Sequence, residues 1–398
     1  MNNGPLSDIR ILSVSEYGAG PLTTQLFADL GADVIKIENT TLGDSGRYVP
    51  PYQSGDDSLF FQSVNRGARS VAIDLKTPEG QEILGALAAK ADAVFTNIRP
   101  RAAEKLGLTY ESLKASNPGI VAFLLTGWGR NGPDSARPAY DYLVQAAGGQ
   151  MDLNAEEGEK PRRSATPWVD TSTSYVSAFG LLTAIHHARR TGVGYDAESS
   201  MLNTAMTQWM YLSTWYLTHG YEPDRLADSS HPSIVPCQVF KLADGHVMVT
   251  CMTQQFWRNL CEALQVPGLA DDPRFATFTD RRENKKELVE LLNDAFEKFT
   301  RDDIRTALDG RVPMEIVRSF AEGLDEYRTK HPEAIVTVDH PEFGRIEMAS
   351  AAISSQGWET HPTRGPRWGE HTRSVLLEAG LAEDVIGSYV DKGIVKVD

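Results

Sequence analysis

The chain has 398 residues, 41% of them hydrophobic and 23% charged, which is room for two or three domains with real cores and excludes a disordered chain. Lys and Arg number 39 against 54 Asp and Glu, a net charge of −15 that disfavours nucleic-acid and anionic-membrane partners, so an anionic ligand would need a local basic patch. Three cysteines (Cys237, Cys251, Cys261) without a CxxC pair form neither a disulfide framework nor a zinc site, and MNNGPLSDIR lacks the features of a signal peptide, so a reducing cytoplasm is the expected location.

Residues 9–14 (IRILSV) read as a short strand, and Gly18-Ala19-Gly20-Pro21 breaks it, with Pro21 near a first helical position where its missing N–H costs nothing. Leu22, Leu26 and Leu30 follow at four-residue spacing, Gly31 is placed to end that helix, and 33–37 (DVIKI) reads as the next strand. The cycle recurs with a strand near 70–74, a helix from Pro78 to about Ala91, a strand at 92–96, a helix near 109–115 and a strand at 120–126. Such alternation predicts a mostly parallel, doubly wound sheet covered on both faces. A long helix is expected from Thr171 to about Arg190 with Asp170 immediately before it. A strand at 196–202, an aromatic helical run to Tyr216 and a linker-like stretch at 220–236 come next. Strands around 238–251 and amphipathic helices at 254–265, 284–299 and 301–309 predict a smaller α+β domain. Strand-like (335–353) and helical (370–391) segments close the chain.

Gly18-Ala19-Gly20 with Glu38 about 20 residues on imitates a dinucleotide fingerprint, but position 23 is Thr where the third glycine belongs, and a tight strand-to-helix turn explains the two glycines as well. Gly43-Asp44-Ser45-Gly46 imitates a serine-protease nucleophile, yet a triad is defined by geometry, and a loop is the simpler reading. No GxSxG, Walker or HExxH motif occurs, and adjacent His186 and His187 cannot share a helical face as a metal pair. Asp170 has two readings from position alone. It can be an N-cap, or its carboxylate can be kept ionised by the helix N-terminus for chemistry there. Arg47, Arg66, Arg69, Lys76, Arg99, Arg101 and Lys105 fall where βα loops should lie, and together could form the required anion site.

In order and spacing, GAGPLTTQLFADLGADVIKIE (18–38), GDSGR (43–47), NRGARSVAIDLKTPEG (65–80), NIRPRAAEKLGLTYESL (97–113), NPGIVAFLLTGWGRNGP (117–133), YDYLVQAAGG (140–149), PWVDTSTSYVSAFGLLTAI (167–185) and GEHT (369–372) resemble the class III CoA-transferases, the family of formyl-CoA transferase and carnitine CoA-transferase. The resemblance implies an α/β fold with a discontinuous Rossmann-like large domain (1–200 and 346–398) and a small α+β domain (226–320). Linkers at 201–225 and 321–345 would close each chain into a ring threaded by the other chain of an interlocked homodimer. It further implies no metal and no permanently bound cofactor, coenzyme A and acyl-CoA being substrates. Asp170 would attack the thioester of a donor such as succinyl-CoA or acetyl-CoA, giving a mixed anhydride and then an aspartyl-CoA thioester, and a small carboxylic acid would accept the CoA.

Carried over by motif, CoA contacts fall on Gly18, Ala19, Ile73, Leu75, Lys76, Asn97, Ile98, Arg99 and Lys105, with Lys76 and Lys105 at phosphates, and Asn39 stands in the place of an adenine-stacking arginine. Gly18 replaces a glutamine of formyl-CoA transferase, Ala68 the lysine of NKRS, and CMTQQFW (251–257) the glycine-rich lid, all of which argue against formate and oxalate. Tyr140, Trp168 and His231 are expected to line the acceptor pocket. Two alternatives remain at this stage: an α-methylacyl-CoA racemase, which would need a histidine where Tyr140 precedes Asp141, and a non-catalytic acyl-CoA-binding protein.

Overall fold

The computed structural model describes residues 4–359 and 361–398, which form two compact units. The first comprises the described residues up to Gly148, Ser164–Ser213 and His331–Asp398, and the second Gly149–Arg163 and Thr214–Lys330. The 201–225 segment, expected to be a linker, holds helices Met201–Thr207 and Tyr211–His219. The 321–345 segment holds most of helix Phe320–Lys330 and the strand Ile335–His340, which pairs with Gly344–Ala349.

The first unit is built on a seven-stranded sheet of β1 (Arg10–Val14), β2 (Asp33–Glu38), β3 (Arg69–Ile73), β4 (Ala93–Thr96), β5 (Val121–Thr126), β6 (Tyr195–Ser200) and β7 (Val395–Lys396), in the order β7-β3-β2-β1-β4-β5-β6. All neighbours are parallel except β7, which lies antiparallel on β3 with Val395 opposite Ile73. Every residue of β5 (VAFLLT) is buried, as a strand covered on both faces requires.

Leu12, Ile37, Val71, Val94 and Leu124 share one core with residues of α2 (Pro78–Ala88) and of the C-terminal helices Thr372–Ala379 and Glu383–Asp391. Ile11, Val34, Phe95, Phe123 and Leu125 share the other with residues of α1 (Ala19–Asp29) and α3 (Trp168–Thr191). The strand predicted to reach 202 stops at Ser200, because the Ser200 hydroxyl accepts the Asn203 N–H and starts a helix instead. From β1 the chain steps outward to β3, then restarts at β4 on the other side of β1. A crevice opens beyond the carboxyl ends of the strands at such a reversal.

The second unit is α+β. Strands Cys237–Lys241, His246–Thr250 and Met314–Ile316 form an antiparallel sheet whose core includes Trp257, Leu260, Phe275, Leu292 and Phe296. Helices Gln254–Ala263, Lys285–Phe296 and Arg301–Leu308 lie within a few residues of the predicted spans. Cys251 and Cys261 are buried there, and burial pushes both thiols up to about 12, so neither is a nucleophile at neutral pH. Among the described residues no helix is long and apolar enough to cross a membrane.

Candidate active site

The turn from β1 into α1 forms one wall of the site. The Asn97 side chain, just beyond β4, grips that turn from both sides: its Oδ1 accepts the Glu16 N–H and its Nδ2 donates to the Glu16 carbonyl, each at 2.9 Å. Tyr17 is held at φ +69°, a left-handed conformation that is costly for an aromatic residue. Its N–H donates to Asp44 Oδ1 (2.8 Å), and its ring packs at 5.1 Å from that of Phe60 and edge-on at 6.0 Å from that of Tyr140. A Cβ at Gly20 would come within 2.6 Å of the Asn97 carboxamide, which accounts for that glycine without any dinucleotide. Glu38 is equally unavailable to a ribose, since both its oxygens accept from the buried Arg47 guanidinium at 2.8 Å.

Asp170 is the third residue of α3, not the residue before it: the helix starts at Trp168, and its N-cap position is Pro167, which has no capping side chain. The cap comes from elsewhere. Asp141 Oδ2, buried on another helix, accepts the Asp170 N–H at 2.9 Å, while Asp141 Oδ1 accepts from the Gln145 amide. Gln145 in turn donates to Ser164 Oγ (2.7 Å) and accepts the Ser164 N–H (2.9 Å), which fixes the approach to α3. The Asp170 carboxylate itself has no hydrogen-bond donor among the described residues. Burial, and after it the Asp141 charge, push its pKa up to about 7. The expectation that the helix N-terminus keeps Asp170 ionised is thereby corrected, because a second carboxylate already occupies the N–H of residue 170. A Cβ at Gly18 would lie 3.1 Å from Asp170 Oδ2, so the absence of a side chain there leaves the carboxylate open to a ligand.

Asp170 lines a cavity of about 360 Å³ together with Gly18, Ala19, Asn97, Ile98, Arg99 and Tyr140, all expected from the sequence. A smaller concavity of about 90 Å³, sharing Glu16 and Ile98 with it, is lined by Asn39, Ile73, Leu75 and Lys76. A groove of about 470 Å³, sharing Arg99, Pro100 and Ser135 with the main cavity, carries Arg101, Lys105 and Arg130. The predicted contacts thus run as one continuous edge past the strand ends. The Asn39 carboxamide is engaged in its own turn, accepting the N–H groups of Thr41 and Leu42 and donating to the Gly43 carbonyl.

Two expected acceptor residues fall outside that edge. Trp168 is half-buried against the core under α3 and does not line the cavity. His231 belongs to the second unit, where its Nδ1 accepts the N–H groups of Ser233 and Ile234 and burial holds its pKa down.

The basic residues divide. Arg47 is locked to Glu38, Arg66 to Asp29 and Arg69 to Asp33 and Glu378, so these three are structural and not part of an anion site. Lys76, Arg99, Arg101 and Lys105 have no ion-pair partner among the described residues, so the site keeps four free cations. Sequence reasoning passed over Glu16 and Tyr17, whose only signal was adjacency to Gly18. It also passed over Arg137, which lies in the gap between two recognised motifs. No group of His, Cys, Asp and Glu that could hold a metal ion occurs among the described residues. An unbonded carboxylate facing a cavity rimmed with cations suits nucleophilic attack on a carbonyl of an anionic ligand.

Comparison with known proteins identifies what the chain resembles. The family described as CoA-transferase family III matches residues 6–372. The chain is 33% identical over 390 residues to the succinyl-CoA:mesaconate CoA-transferase of Haloarcula hispanica, covering 95% of this chain and 97% of that protein. It is 30% identical over 399 residues to the succinyl-CoA:glutarate CoA-transferase of Homo sapiens, covering 99% of this chain and 91% of that protein. Among solved structures, a CAIB/BAIF family protein from Brucella suis superposes with a TM-score of 0.81 at 30% identity, covering 95% of this chain and all of that one.

Proposed function

The chain belongs to CoA-transferase family III, and on that premise we propose that it moves CoA from succinyl-CoA to a small dicarboxylic acid, with Asp170 as the nucleophile. The observation that carries this reading is the Asp170 carboxylate, without a donor, on the wall of the 360 Å³ cavity.

The Asp170 carboxylate adds to the thioester carbonyl, the C–S bond breaks, and CoA leaves as a thiolate, giving an aspartyl–succinyl anhydride. The thiolate returns to the aspartyl carbonyl, succinate departs, and an aspartyl-CoA thioester remains. The acceptor carboxylate then attacks that thioester, and the released thiolate takes the acceptor's acyl group and frees Asp170. Every step exchanges one anion for another, so no general base is required. A raised proton affinity makes Asp170 the stronger nucleophile once ionised, and it confines activity to neutral and alkaline pH. Lys76, Arg99 and Lys105 meet the CoA phosphates, and the first turn of α1 presents backbone N–H groups beside Gly18 to the developing oxyanion.

The same reading takes the large domain as Rossmann-like, since in chain order its six parallel strands lie 3-2-1-4-5-6. It takes the working protein as a cytoplasmic, interlocked homodimer, with residues 1–200 and 346–398 in the large domain, 226–320 in the small one, and ring-closing segments at 201–225 and 321–345. A racemase is disfavoured, because that chemistry would need a histidine where Tyr140 precedes Asp141, and the described residues that line the cavity include none.

Incubating the protein with succinyl-CoA and hydroxylamine should convert Asp170 to a hydroxamate detectable by peptide mass spectrometry. Asp170→Ala should lose CoA exchange and still bind CoA. Exchange that survives in Asp170→Ala overturns the mechanism.

A further inference from the structure

Resting on that reading, the geometry points to Arg137 as the side chain that receives the second carboxylate of a dicarboxylic substrate and so sets the preference for diacids over monoacids.

When one end of a diacid is joined to Asp170 or approaching it, the other end is an anion in the same cavity, beside the carboxyl of Glu16. An uncompensated charge there would be costly, so a cation must meet it. Two cationic side chains line the cavity, Arg99 and Arg137. Arg99 also lines the outer groove with Arg101 and Lys105, an array suited to the several phosphate charges of CoA, and is drawn toward that ligand. Arg137 is absent from the groove and faces the Asp170 cavity alone.

Arg137 is also prepared for a carboxylate. Its guanidinium carbon lies over the Trp128 ring, 4.7 Å from the ring centre, and the indole N–H of Trp128 donates to the Pro138 carbonyl at 3.2 Å, so the ring that the guanidinium rests on is itself held. Its Nη1 donates to Asp134 Oδ1 at 2.9 Å. Asp134 therefore shows that one edge of the guanidinium is already placed to bond a carboxylate. Both partners of that pair are more than two-fifths exposed, and an exposed pair of this kind is weak. A substrate carboxylate can displace Asp134, or use the N–H groups that Asp134 leaves over, at little cost.

The test compares acids that differ only in the second carboxylate. With succinyl-CoA as donor, kcat/KM is measured for glutarate and for pentanoate in the wild type, in Arg137→Gln and in Arg137→Lys. The glutarate-to-pentanoate ratio should fall roughly 10- to 100-fold in Arg137→Gln, the usual worth of a charge-assisted hydrogen bond. Arg137→Lys, which keeps the charge and loses the planar fork, should fall in between, and it serves if the glutamine variant does not fold. The donor side should agree: succinyl-CoA should lose more than butyryl-CoA in both variants. A parallel loss for diacids and monoacids would make Arg137 a CoA or loop residue and overturn the assignment, as would a ratio that does not change. Failure of the transferase reading would look different, since the wild type itself would then transfer CoA to neither acid.

Discussion

Replacing Asp170 by asparagine keeps the shape of the side chain and removes a charge that the fold holds without a donor, so the substitution should trade activity for stability in a pH-dependent way. The carboxyl titrates at its ordinary 3.8 when the chain is unfolded and at about 7 when it is folded. Between those values the folded chain keeps a proton that the unfolded chain has lost. Stability contributed by this group therefore falls as pH rises from about 4 to about 7 and is flat above. At ~1.4 kcal/mol per pH unit, the full rise sets a ceiling of roughly 4 kcal/mol of destabilisation at pH 8. The carboxylate faces an open cavity and keeps part of its hydration, so about 2 kcal/mol is the expected effect. Urea titrations of both proteins at one protein concentration, at pH 8, 7, 6 and 5, measure it. The asparagine variant should be inactive throughout and more stable at pH 8, with the advantage shrinking steadily toward pH 4. A stability difference that is the same at every pH, or a wild type that is the more stable protein at pH 8, would refute the reasoning. It would mean that the folded site holds the ionised carboxylate favourably.

Other perturbations probe the same site. With a pKa of about 7, Asp170 should give a wild-type kcat/KM that climbs about tenfold between pH 6 and pH 8, following its ionised fraction. Asp141→Asn keeps an oxygen for the Asp170 N–H but removes the charge, so the acid limb should move to lower pH; a limb that stays put shows that Asp141 acts through structure alone. Gly18→Ala places a methyl group 3.1 Å from Asp170 Oδ2, and displacing the proposed nucleophile should lower kcat roughly ten- to a hundredfold. Calorimetry should find CoA binding largely preserved in that variant, whereas an unchanged kcat would show that the carboxylate is approached from another side.

The features legible in the sequence are those that local patterns encode, and the illegible ones depend on partners brought from far along the chain. Alternating apolar runs and helices gave the parallel sheet, because a strand such as β5, buried on both faces, must be apolar throughout. The seven basic residues placed at βα loops in the first half looked alike. Arg66 and Arg69 meet Asp29 and Asp33 only because the sheet brings β3 beside β2, with Arg69 opposite Ile35, whereas Lys76, Arg99 and Lys105 sit beyond strand ends with no ion-pair partner among the described residues. Within a chain of net charge −15, carboxylates pair with the cations inside the fold and leave Lys76, Arg99, Arg101 and Lys105 unpaired among the described residues.

The misjudged start of α3 has the same origin. An aspartate immediately before an expected helix start reads as a cap, and nothing within a turn of Asp170 reveals that Asp141, 29 residues earlier, already supplies one. That substitution reverses the electrostatics. A helix N-terminus ordinarily lowers the pKa of an acid placed there, but when a buried second carboxylate takes the N–H, the acid is left with desolvation and a like charge, both of which raise it. One contact between two helices therefore sets the proton affinity of Asp170, and it was invisible for the same reason that it is effective, because it joins segments that only the fold brings together.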